Sequence, residues 1–379
     1  PVFDIRCGAL TCIERLNFLL PDDNIHLLVR PELEEVTKET FPENSINPEN
    51  IDEGIWLLGN ALWNEDAVAA IKDQKDSLFF NNHTLIGANL AQDPGKGWMD
   101  SGGPLAADLE SDNQKINLNI NVIEYLWDAI TLTNQQTEKD KQFLPGFSAP
   151  ETEADLINKE NIFAHDSVII SKGAVVDAAL GPVIIANDTV VKPLAYLAGP
   201  LYIGEHCIVE PMTKIKGGCS IGPVCRLGGE INSVIMQGWS NKVHDGHLGD
   251  AYLGQWVNLG AGTVNSNLKN NYSDIDILVN GVMTKTGSKH VGCFMGDHVK
   301  TAIGTRLNTG TVIGTGSNIV TSEFPPKTIS PFSWCVGNKV KPVRWKAFLE
   351  TAEIVKSRRD LEFSAAEKTL LESIYRRKK

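Results

Sequence analysis

The chain has no unbroken apolar run of about 18 residues, the length a membrane-spanning helix needs, and no secretory leader is visible at its start. It opens on Pro1 rather than methionine, so a leading segment is expected ahead of it. No C-x-x-C pair occurs, and the seven cysteines are an odd number, which argues for a reducing, cytoplasmic compartment. A basic surplus is missing too: the net charge is -12. Residues 339 to 379 hold 12 Lys+Arg against 6 Asp+Glu, which leaves -18 on the remainder. Nucleic acid is a poor partner for that body, and membrane is not expected as one. The basic tail reads as a solvated helix pair or a subunit contact. At 379 residues the chain exceeds one compact core, so two or three domains are expected.

What is present in quantity is a beat of six. Ile185, Val191, Leu197, Ile203, Val209, Ile215, Ile221 and Leu227 follow one another at that spacing, which is the period of neither helix nor strand. Four positions after them come mostly small side chains, among them Thr189, Ala195, Cys207, Thr213, Cys219 and Cys225. This is the hexapeptide repeat of a parallel β-helix, in which three hexads make one coil of a triangular prism and the aliphatic residue fills the bore. Cys207 and Cys225, 18 apart, then stack in adjacent coils, as core packing rather than as a disulfide or metal pair. Leu253 and Leu259 continue the beat, and Met295, Thr301, Leu307, Ile313 and Ile319 resume it. It lapses over 228 to 252 and 264 to 294. Both stretches read as loops leaving the solenoid, where function concentrates.

Residues 1 to 145 read as an α/β domain. Strands are expected over 24 to 29 and 55 to 59, a helix from 31, another over 65 to 73, and a hairpin of 78 to 80 with 84 to 86. Alternating strands and helices predict a mainly parallel sheet. A helical segment over about 122 to 132 leads to Pro145-Gly146, the expected linker. The solenoid then occupies 146 to 322. A helical tail, 323 to 379, contains helices near 343 to 358 and after a capping box at Ser364 and Glu367.

The stretch Lys242 to Thr263, K-V-H-D-G-H-L-G-D-A-Y-L-G-Q-W-V-N-L-G-A-G-T, resembles the acetyltransferase half of the bifunctional N-acetylglucosamine-1-phosphate uridyltransferase / glucosamine-1-phosphate acetyltransferase family. The order of α/β domain, β-helix and tail resembles that family too, and its sugar nucleotidyltransferase relatives. The resemblance implies a left-handed coil, an exception to the usual crossover hand, and a homotrimer with sites between subunits. It implies His244 and Asn258 as catalytic residues, and Lys242, His247 and Asn267 as contacts to a sugar phosphate or nucleotide sugar; Arg226 and Asp245, which is beside His244 in sequence, are further candidates for substrate contact. Ala261 is implied as a contact to acetyl-CoA or another acyl-CoA, and Lys300 and Arg306 are read beside it as part of the cationic rim that the phosphates of such a carrier require. Where the family has phosphate-holding lysines, this chain has Asn232 or Ser233, and Ser273.

The chemistry is consistent with those assignments. Acyl transfer from a thioester needs a base, and imidazole, ionising at about pH 6.5 in its ordinary state, is suited to it. Amides around Gly260-Ala261-Gly262 supply oxyanion or carrier donors, and Lys285 and Lys289 add to the cationic rim. The front domain departs further. The family's Gly-rich phosphate loop does not appear, and its Mg²⁺-binding aspartate corresponds to Asn60 in Gly59-Asn60-Ala61-Leu62, a neutral amide without the charge that holds the cation. Mg²⁺ is expected only if nucleotidyl transfer is retained. Three readings follow: a His244-dependent acyltransferase fused to a degenerate nucleotidyltransferase-like domain, a sugar-1-phosphate nucleotidyltransferase whose solenoid oligomerises, and a non-catalytic trimeric scaffold.

Overall fold

A computed structural model describes residues 1–50, 53–104, 113–144, 146–337 and 339–377. Of the expected linker, Pro145 lies outside the described residues. The chain divides into two units: Pro1–Ile5 with Leu10–Glu124, and Arg6–Ala9 with Tyr125–Lys379.

In the first unit the helix Glu65–Asp73 forms as expected because Asn64 caps it, its side chain accepting from the Ala67 amide at 2.9 Å. The hairpin is Ser77–Asn81 with Thr84–Leu90, turning at Asn82 in the left-handed region (φ 55°). A mainly parallel sheet is not what forms. The four strands run in the order Gly54–Leu57, Thr84–Leu90, Ser77–Asn81, Gln114–Asn117, with two antiparallel joins and one parallel. A two-residue turn can only reverse the chain, whereas a parallel join needs a long crossover. The expected strand over 24 to 29 shrinks to His26–Leu27, paired in parallel with Ser45–Ile46. Trp63, Ile71, Phe79 and Ile86 fill the core beneath the sheet.

The second unit is built on the hexads. All eight residues from Ile185 to Leu227 are fully buried, and parallel register stacks them 18 apart: Ile185 on Ile203 on Ile221, Val191 on Val209 on Leu227, Leu197 on Ile215. Three columns of short parallel strands result, enclosing one continuous apolar bore. The corners have their own regularity. Asp188, Leu194, His206, Met212 and Val224, each three residues past a bore position, adopt φ between 54° and 65°. Bonds between coils hold these non-glycine residues in that disfavoured region, as where the Val224 amide donates to Glu205 O at 2.8 Å. Cys207 and Cys225 are free thiols in the bore, and the Cys225 amide donates to Cys207 Sγ at 3.3 Å.

The two lapses in the beat differ. Residues 228 to 252 do not leave the column, contrary to the loop expected there. Glu230–Gly238 and His247–Gln255 are long strands, each running on through one corner. Glu230–Gly238 pairs at its start with Lys214–Ile215 and near its end with Cys219–Ile221. Register joins Leu227 to Lys242 and Ile231 to Leu248, so these coils are shorter than three full hexads, and this erases the period without breaking the stack. Residues 264 to 294 do throw out an excursion, the antiparallel hairpin Asp276–Val279 with Val282–Lys285.

The tail helices are Trp345–Ser357 and Ala365–Arg377, the latter opened by the expected capping box: the Glu367 amide donates to Ser364 Oγ and the Ser364 amide to Glu367 Oε2, at 3.0 and 3.1 Å. Trp239, Trp256 and His298 stack along one solenoid corner at 5.7 and 6.2 Å, and Phe348 of the tail meets His298 edge-on at 5.6 Å. The helix Leu126–Asp140, within the stretch expected to end the first domain, packs in this second unit against the strands Cys219–Ile221 and His247–Gln255.

The bore makes a direct prediction. Ile203→Ala should cost about 2 to 5 kcal/mol in denaturant unfolding, whereas Leu180→Ala, on an outer turn and 86% exposed, should change stability by about 0.5 kcal/mol or less.

Candidate functional site

Four consecutive corner segments build the candidate site. Val191 to Tyr196, Val209 to Lys214, Leu227 to Glu230 and Lys242 to His247 each carry the chain from the same face of the prism to the next one. His244 stands on the last of them. The coils approach closely here: a Cβ on Gly228 would lie 1.7 Å from Val243 O, and one on Gly246 2.3 Å from Thr263 O. Only glycine admits such contact. The Glu230 amide donates to Gly246 O and the Gly262 amide to Asp245 O, both at 3.1 Å, so the turn is hydrogen-bonded to the coils on both sides.

His244 is exposed, and among the described residues its imidazole has no hydrogen-bond or ion-pair partner. Asp245, also exposed, contributes its carbonyl to the turn and does not bond the imidazole. Lys242, expected to meet substrate, instead points into the bore and is 1% exposed. It occupies the stacking position above Leu227, so its ammonium has no water and must find acceptors inside. Gly228 O accepts at 3.4 Å and His244 O accepts as well. Burial lowers its pKa to about 8, opposed by the charge of Asp245. Lys242 therefore holds the main chain of the histidine turn.

The next face carries a polar group around His247. Its Nδ1 lies 3.6 Å from Glu230 Oε1, and Glu230 also accepts from Lys216 Nζ at 2.7 Å. The Lys216 bond holds the Glu230 carboxyl below the ordinary range. Asn267 Nδ2 donates to Asp250 Oδ2 at 2.6 Å; burial raises the Asp250 carboxyl, against the pull of that bond and of His290 and His247. Gly249 leaves the space between His247 and Asn267 open, since a Cβ there would lie 2.5 Å from His247 Nε2 and 3.1 Å from Asn267 Nδ2. Glu230 and Asp250 were not foreseen. Glu230 is the register neighbour of His247 one shortened coil earlier, a pairing recognisable only once that shortening is known.

The face leading to the histidine turn holds a row of outward residues in register: Arg226, Asn241, Asn258, Lys300 and Asn318. Asn258 Oδ1 accepts from Asn241 Nδ2 at 3.3 Å. Lys300 Nζ donates to His298 O at 3.3 Å, and burial lowers its pKa to about 8. Arg306 is not with them. It lies on another face, bonds Ser322 O and covers the Phe324 ring at 5.2 Å. Of the amides at 260 to 262, that of Gly260 is bound to Thr301 and that of Gly262 to Asp245. Ala261 N–H alone has no acceptor among the described residues.

In the first unit Asn60 Nδ2 donates to Ile123 O at 2.7 Å, a bond a carboxylate could not make. No group of three or more His, Cys, Asp or Glu suited to a metal occurs among the described residues. The residues present therefore do not fit the Mg²⁺ that the resemblance attaches to this position. No helix among the described residues is long and apolar enough to cross a membrane.

Lys242 sets a pH dependence. Between about pH 8 and 10.5 the unfolded chain keeps this proton and the folded chain has released it, so stability rises with pH there. The melting temperature of Lys242→Met should show a smaller rise than wild type across that window; parallel curves would refute the buried, depressed ammonium.

Comparison with known proteins adds the following. Residues 1–146 match the family model described as sugar nucleotidyl transferase. A bifunctional sugar-1-phosphate nucleotidylyltransferase/acetyltransferase from Sulfurisphaera tokodaii is 36% identical over 87 residues, 23% of this chain and 21% of that protein. The bifunctional protein GlmU of Xanthomonas campestris is 34% identical over 101 residues, 27% of this chain and 20% of that protein. The aligned part is thus about a fifth of the length of these relatives. Two solved structures of mutants of AntD, an N-acyltransferase from Bacillus cereus, align with 54% and 58% of this chain and 91% and 96% of their own, at 10% and 14% identity. One holds dTDP and coenzyme A, the other dTDP-4-amino-4,6-dideoxyglucose and coenzyme A; their TM-scores of 0.18 and 0.22 carry no argument. Residues 1–146 are thus similar to sugar nucleotidyl transferases, and the chain continues into a parallel β-helix.

Proposed function

We propose that the protein is a transferase of sugar-nucleotide metabolism whose β-helix moves an acyl group from an acyl-CoA to a sugar phosphate or nucleotide sugar. The observation that carries this reading is the exposed imidazole of His244, without a partner among the described residues and held on a turn clamped through Lys242 and bonded to both neighbouring coils. The imidazole takes a proton from the attacking amine or hydroxyl as it adds to the thioester carbonyl. The N–H of Ala261 stabilises the oxyanion, and collapse of the tetrahedral intermediate releases the thiol, which recovers the proton. Asn258 lies on the face that feeds this turn, and His247, Asn267 and Asp245 bind the acceptor. Lys300 and Arg226 meet the phosphates, whereas Arg306 is committed elsewhere. An acyltransferase name among the relatives supports the same chemistry.

The working assembly we infer is a homotrimer with the site between copies. Leu194 and Met212 support it: they stand on the corner that carries His244 and are 63% and 68% exposed. The front domain, matching the family model but lacking the metal carboxylate at Asn60, binds a nucleotide sugar without the usual metal-dependent turnover.

With purified protein, a panel of acyl-CoA donors and amino sugars as phosphates and nucleotide conjugates, thiol release should appear for one pair. His244→Ala should lower that rate by about 10² to 10⁴-fold with acyl-CoA binding unchanged; an unchanged rate would remove the proposed base. Leu194→Asp combined with Met212→Asp should reduce the sedimenting mass to that of a monomer while the far-ultraviolet spectrum stays native.

A further inference from the structure

Where the chain passes between the two tail helices it brings a cation to the solenoid. Arg359 is half-buried, and one of its terminal nitrogens donates to Asn241 Oδ1 at 3.2 Å. Asn241 is the register neighbour of Arg226 on one side and of Asn258 on the other, and Lys300 follows Asn258 in the same row. Arg359 is therefore bonded to the residue that stands next to Arg226 in the row. Burial first, then the charges of Arg226 and Arg358, lower the Arg359 guanidinium from its ordinary value. None of these four cations has a carboxylate within 4 Å among the described residues, although ion pairs occur widely elsewhere in the chain. Like charges gathered on a partly desolvated face repel one another unless an anion neutralises them, and the donors left over are those of guanidinium groups, whose fork geometry matches phosphate oxygens.

We propose that Arg359 of the tail and Arg226 of the solenoid, flanking Asn241, form a binding site for a diphosphate group, with Lys300 at the far end of the row. This deepens the proposed acyl transfer by giving one substrate's diphosphate its seat, yet it rests on the cation geometry and not on the His244 chemistry. The site is complete only with the tail docked, so a diphosphate ligand holds the tail against the solenoid.

Calorimetric titration of the full chain with inorganic pyrophosphate at low salt reads the site directly. Saturable binding is expected, weakened about ten-fold or more in Arg359→Gln and in Arg226→Gln, and less in Arg359→Lys, which keeps the charge but not the fork. Lys368→Gln, on the same tail but paired with Glu353, should bind as wild type, and tryptophan fluorescence should show the tail still docked in every variant. No binding by wild type, or equal binding by Arg359→Gln, overturns the proposal. Two further arms separate the sources of the diphosphate: desulfo-coenzyme A for the acyl carrier and uridine or thymidine diphosphate for the nucleotide sugar. Dependence on Arg359 in either arm assigns the site; dependence in neither overturns it. Loss of acyl transfer in His244→Ala with pyrophosphate binding intact leaves this site standing, and pyrophosphate silence with transfer intact removes it alone.

Discussion

Inward side chains stacked in register down one apolar bore are the constraint on which the solenoid depends. Each coil has too few residues to enclose a core of its own, and its strands find hydrogen-bond partners only in the coils above and below. A side chain at a bore position is therefore fixed by its neighbours in both directions, and so is the corner that follows it. This makes Lys242 consequential. Placed over Leu227 where an aliphatic residue is the rule, its ammonium cannot be left bare. The acceptors within reach are Gly228 O and His244 O, both main-chain groups of the adjoining corners. A polar exception in the core thus becomes a tether for the turn that displays the histidine.

The corners add a second requirement, that neighbouring turns nearly touch. Gly228 and Gly246 have no room for a Cβ, and Leu194 and Met212 accept a left-handed backbone on the same edge of the prism. An edge of this kind is rigid, and rigidity is what the base proposed at His244 would need, since misplacement of reacting groups by about 1 Å costs orders of magnitude in rate. Leu194 and Met212 also present their apolar side chains outward on this edge.

Much of this architecture is legible in the residues themselves. The spacing of Ile185 to Leu227 identifies the solenoid, the small residues four positions on identify the bore, and Ser364 with Glu367 marks the start of the last helix. The missed features share a cause. Shortened coils keep their strands paired but destroy the period, so the stretch around His244 reads as a loop when it is a continuous part of the wall. Residue type alone does not tell an inward lysine from an outward one, and Lys242 resembles a surface ligand until its register with Leu227 is known. In the front unit, strand and helix order alone says nothing of direction: the tight turn at Asn82 sets Ser77–Asn81 and Thr84–Leu90 antiparallel.

Adjacency follows the coil rather than the chain, and this decides which charges act together. Lys300 and Arg306 are one hexad apart and point from different faces, so Arg306 ends against Ser322 and Phe324 while Lys300 joins the row of Arg226, Asn241 and Asn258. That row draws on positions scattered along the sequence from Arg226 to Lys300, brought into line by register alone. The tail reaches it because the aromatic corner of Trp239, Trp256 and His298 lies two positions ahead of the same strands and gives Phe348 a docking surface. Apolar packing at the corner thus fixes where the arginines arrive. Electrostatics alone would drive Arg359 away from Arg226, so burial of the tail's aromatic residues is what keeps Arg359 on Asn241, beside Arg226 in the row.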